Sequence, residues 1–184
     1  MVSVWAEVLG ELRVLVYEWR FRRSQWSASA QNMELHHSYA DKTAGSSRLS
    51  YQQTLRAEAA AQALLDDTGR LGAAVRGIGE LRARTERMDR GTELDTHHRV
   101  AGLTGDYAAR AVDQCWAAVA DDYRQLARLA QGVLSRGTPL GAVAAAAPPP
   151  PILDSDFEDR LLLVMRAEQV HASRLEEKRL GLAA

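Results

Sequence analysis

The stretch VDQCWAAVADDYRQLARLAQGV, Val112 to Val133, decides the fold. Its apolar positions are Val112, Trp116, Val119, Tyr123, Leu126, Ala130 and Val133, at alternating steps of four and three. That is the spacing of a helix burying one seam, and of a coiled-coil heptad. No proline interrupts it, and no alternating β-branched run competes with it. The seam assigns Val112, Trp116, Val119, Tyr123, Leu126 and Val133 to oligomerisation.

The same reading extends towards the N-terminus. Residues 3–44 form one amphipathic block with apolar positions Trp5, Val8, Leu12, Leu15, Trp19, Trp26 and Met33. Tryptophan buries a large area and is frequent at the anchors of protein interfaces. Arg20, Arg22 and Arg23 lie among the tryptophans. Trp5, Trp19, Arg20, Arg22, Arg23 and Trp26 are therefore the candidate partner-binding residues. Self-association of the Trp seam under a solvated basic face is an equal reading, and seating on a membrane surface or nucleic acid stands behind both. Thr43 to Ser47 read as a break. Residues 46–134 form a helical or coiled-coil region with a Gly-rich break near 91–105. Leu64, Leu71 and Ile78 carry a weaker seam there. Gly69, Gly72, Gly77 and Gly79 interrupt it, each costing about 1 kcal/mol relative to Ala inside a helix. This predicts either a loose helix held by a partner or two helices with a kink.

Towards the C-terminus, residues 135–153 read as a linker, with Pro148 to Pro151 favouring an extended polyproline rod. A last helix over 154–182 has acids in its first turn and Lys178 and Arg179 in its last, which suits the helix dipole. Its expected core face is Phe157, Leu161, Val164 and Leu175. The fold class is all-α: amphipathic helices with coiled-coil heptads, extended or folded back as a bundle.

Composition narrows the function. The chain has 184 residues, 23 basic and 24 acidic, with a net charge of −1, which disfavours binding nucleic acid through overall charge. Lys42 and Lys178 are the only lysines, so the arginine bias is compositional and no sign of phosphate binding. Hydrophobic content of 46 % excludes a wholly disordered chain. A single cysteine, Cys115, excludes an internal disulfide framework or a multi-cysteine zinc site. No apolar run approaches a membrane span and no secretory leader is evident, so a cytoplasmic protein with at most peripheral membrane contact is expected.

Chemistry is sparse. Glu34 and His37, and Asp95 and His98, have the carboxylate-x-x-His spacing of di-metal bundles. Their neighbours are Ser, Thr, Gly and Asp, typical of solvated helix ends. The expectation is no catalytic residue, no metal and no cofactor. There is no nucleophile elbow around a serine and no phosphate loop. Cys115, beside Trp116, reads as a small buried thiol.

Residues 22–58 resemble the N-terminal segment of the autophagy protein 16 family. The matching points are Arg22-Arg23, then Ser38-Tyr39-Ala40-Asp41-Lys42, then Thr54-Leu55-Arg56-Ala57-Glu58. The resemblance implies docking on autophagy protein 5 through Trp19, Arg22, Arg23 and Trp26. It also implies homodimerisation through later heptads and a place in the ubiquitin-like conjugation machinery. The resulting expectation is a non-enzymatic helical scaffold with protein partners. The alternatives are a subunit of another coiled-coil assembly, such as a ciliary, kinetochore or vesicle-tethering complex, and a metal-binding four-helix bundle.

Overall fold

In a computed structural model the protein is all-α. The structure describes residues 4–43, 45–88 and 105–134 and the single positions 159, 163, 166 and 170. Three helices account for nearly all of them: α1 (Val4–Lys42), α2 (Ser47–Glu86) and α3 (Gly105–Leu134). No strand occurs among the described residues. The expected linker over 135–153, most of the expected break near 91–105 and the face Phe157, Leu161, Val164 and Leu175 lie outside the described residues. Asp159, Leu163, Arg166 and Val170 are helical with exposed side chains.

The chain divides into two compact units, and each helix contributes to both. The first takes α1 to Val14, α2 from Ile78 and α3 to Trp116. Trp5, Leu9, Leu12, Ile78, Leu81 and Val112 fill its interior. The second takes α1 from Leu15, α2 to Gly77 and α3 from Ala117. Trp19, Trp26, Met33, Leu64, Leu71 and Leu126 fill that one. In the second unit Gly77 meets Leu15, Trp26 bonds Thr68 and His36 bonds Gln53. Rising numbers on α1 meet falling numbers on α2, so the two helices run antiparallel.

Of the two expectations for this stretch, the structure has a single helix and not two, because α2 is continuous through its glycines. Three of the four are seats for large side chains. A Cβ on Gly72 would lie 2.7 Å from the Tyr123 hydroxyl, and one on Gly79 would lie 3.1 Å from Trp116 Nε1. A Cβ on Gly77 would lie 3.0 Å from a Leu15 methyl. Gly69 faces open space. The cost in propensity is thus offset by close packing, which spacing along one helix does not reveal.

Candidate functional site

The tryptophan stripe lies inside the chain. Trp5, Trp19 and Trp26 are at most 2 % exposed, so the chain's own helices fill the role expected of a partner pocket. Trp26 Nε1 donates to Thr68 Oγ1 at 2.9 Å, and the Thr68 hydroxyl donates to the Leu64 carbonyl. Burial of both polar groups is satisfied locally.

Arg23 is also internal. Its Nε donates to Asp122 Oδ2 at 3.1 Å and its Nη1 to Ser27 Oγ at 2.7 Å. Its guanidinium lies 5.5 Å from the Trp26 ring centroid. The side chains of Arg23 and Asp122 are 3 % and 9 % exposed, so this is a buried ion pair. Burial pushes the Asp122 carboxyl above its ordinary value, with the Arg23 charge and hydrogen bond pulling the other way. Arg20 and Arg22 remain half-buried. Arg22 lies over Phe21 at 5.5 Å and donates to Gln25 at 3.1 Å; Arg20 lies over Tyr17 at 5.8 Å.

The α3 heptad is likewise turned inward within each unit. Val112, Val119 and Leu126 are buried, and Trp116, Tyr123 and Val133 half-buried. Trp116 carries the Arg82 guanidinium 4.5 Å from its ring centroid, and Arg82 Nε donates to Asp113 at 2.7 Å. That hydrogen bond, the largest cause, holds the Arg82 guanidinium above its ordinary value. Cys115 is buried.

A cleft of 360 Å³ opens in the second unit among Gln25, Ser29, Ala63, Asp66, Asp67 and Arg70. Asp67 accepts from Ser29 at 2.8 Å and from Arg70 at 3.1 Å, and Asp66 accepts from Gln62 at 3.0 Å. Its acids are thus engaged by neighbouring side chains. His37 Nδ1 pairs with the Met33 carbonyl and His36 Nδ1 with Gln53, both at 3.0 Å. Asp95 and His98 lie outside the described residues. Among the described residues no three His, Cys, Asp or Glu side chains group as metal ligands. No helix among them is long and apolar enough to cross a membrane.

A set of exposed apolar side chains lies elsewhere in the second unit. Over residues 33–42 of α1 and 47–60 of α2, only Met33 and Ala57 are buried. Leu35, Tyr39, Leu49, Tyr51 and Leu55 are exposed there, and Tyr17 and Phe21 are exposed further up α1. Of the residues carrying the family resemblance, Tyr39, Lys42, Leu55 and Glu58 are exposed and Ala57 is buried. The inner stripe drew attention through its tryptophans and hid this second set. Its one sequence signal is the seven-residue repeat of Phe21, Ala28 and Leu35.

No protein-family model matches this chain, and neither the curated proteins nor the solved structures contain a match to it.

Proposed function

We propose that the protein is a non-enzymatic helical scaffold that joins a multi-protein complex. The observation that carries this is the end of the second unit, where α1 and α2 expose Leu35, Tyr39, Leu49, Tyr51 and Leu55 over a nearly coreless stretch. A two-helix segment with so little buried area gains stability from a partner that covers it. The family resemblance gives the specific version, in which the partner is autophagy protein 5 and the setting the cytoplasmic autophagy conjugation machinery.

The test compares the wild-type chain with a Tyr51→Glu/Leu55→Glu variant. Both are tagged, purified from the protein's own cells and analysed by mass spectrometry. A defined protein set that co-purifies with the wild type and is lost from the variant is expected. Identical sets, or none with either chain, would overturn the reading. Direct titration with purified autophagy protein 5 tests the specific version, and absence of binding removes it.

A further inference from the structure

Tyr17, Phe21, Ala28, Leu35 and Tyr39 are all exposed on α1 within the second unit. Phe21 and Leu35 stand seven residues either side of Ala28, and Tyr17 and Tyr39 eleven either side. At about 100° per residue, all five point within about 20° of one direction. Trp19, Trp26 and Met33 occupy the opposite side, facing the interior. The outer stripe is therefore narrow, apolar and symmetric about its own midpoint.

Such a stripe is complementary to itself when reversed. Two-fold antiparallel pairing sets Ala28 against Ala28 of the partner subunit. Phe21 then meets the partner's Leu35, and Tyr17 meets the partner's Tyr39. The small residue at the centre lets the helices approach closely where they cross. The flanks agree. Glu18, ten residues before Ala28, and His36, eight after it, share one side of the stripe. Reversal brings the acid beside the partner's imidazole, and Gln25 beside the partner's Asn32. On the other side Arg20 comes near the partner's Ser38 and meets no like charge.

We infer that this stripe seats a second copy of the chain, forming an antiparallel two-fold dimer through α1 centred on Ala28. The inference rests on the scaffold reading and names the occupant of one of its surfaces, leaving Tyr51 and Leu55 of α2 for a different protein.

Sedimentation equilibrium of the full chain tests it, together with oxidative cross-linking of cysteine variants. Wild type should sediment at twice its mass of 20.2 kDa. Ala28→Cys should link to itself on oxidation. Phe21→Cys should link to Leu35→Cys when the two are mixed, while wild type, with Cys115 buried, should not link. Phe21→Glu should weaken dimerisation about a hundredfold or more and keep full helicity, since it places a charge in an apolar seam at an exposed position. A monomer at every concentration overturns the proposal. So does a dimer indifferent to Phe21→Glu, or one in which Phe21→Cys links only to itself. A monomer that still loses its partner on Tyr51→Glu/Leu55→Glu sinks the dimer and keeps the scaffold. A dimer with no such partner sinks the scaffold reading alone.

Discussion

The inner and outer faces of α1 carry similar apolar content and meet different fates. On the inner face Trp19, Trp26 and Met33 are completely buried against the chain's own helices. On the outer face Phe21 is 58 % exposed and Leu35 48 %. Hydrophobic spacing says that a face is to be covered, and says nothing of which chain covers it. The polar groups draw the distinction. Two polar groups of the inner face are met within the chain, Trp26 by the Thr68 hydroxyl and Arg23 by the Asp122 carboxylate, while the buried Trp19 Nε1 has no hydrogen-bond partner among the described residues. On the outer face Arg20, Arg22 and Lys42 lie over the exposed rings of Tyr17, Phe21 and Tyr39.

The largest effects should separate the two faces. Trp26→Ala should cost about 3–5 kcal/mol in denaturant unfolding, as truncation of a fully buried large side chain does. Phe21→Ala, measured on dilute monomer, should change stability by no more than about 0.5 kcal/mol. Equal losses would erase the distinction.

Arg23→Met sharpens it further by leaving Asp122 buried without its counter-charge, at a cost of about 3–5 kcal/mol at neutral pH. The sign of the pH dependence follows from burial, which raises the Asp122 value in the folded chain. The folded chain therefore holds that proton more tightly than the unfolded chain. The stability this contributes is fully present below about pH 4 and is lost as pH rises through the raised value. Removing Arg23 takes away the main influence lowering that value. The penalty of Arg23→Met should thus grow from pH 4.5 to pH 7, in unfolding curves recorded at both. A penalty independent of pH would remove Asp122 from the explanation. Replacing both partners with Arg23→Met/Asp122→Leu should recover most of the loss.

Smaller effects probe the glycine seats. Gly69→Ala should stabilise α2 by about 0.5–1 kcal/mol, since its Cβ enters open space. Gly72→Ala forces the Tyr123 ring to move and should be less stable than Gly69→Ala by about 1 kcal/mol or more. Smallest of all should be Arg82→Met. Arg82 and Asp113 are 35 % and 45 % exposed, and water replaces much of what is lost. Its melting temperature should stay close to wild type, in contrast to Arg23→Met.

The helices themselves were legible in the sequence, because amphipathic spacing is a local property. The α3 seam from Val112 to Val133 and the α1 stripe from Trp5 to Met33 both face inward. The continuity of α2 was not legible, since the reason for Gly72 and Gly79 sits on α3, at Tyr123 and Trp116. The candidate surface was missed for a related reason. Tryptophans and arginines are interface residues when exposed, and a sequence does not show that Arg23 has an Asp122 waiting ninety-nine residues on.

Acrylamide quenching of tryptophan fluorescence, on dilute full-length chain, tests the central claim most directly. The chain has four tryptophans: Trp5, Trp19 and Trp26 are buried, and Trp116 is half-buried beneath Arg82. Quenching should be weak and come mainly from Trp116, so a Trp116→Phe chain should resist it almost entirely. A Trp116→Phe chain quenched as readily as free tryptophan would contradict the account and return the inner stripe to solvent, where a partner pocket would have to cover it.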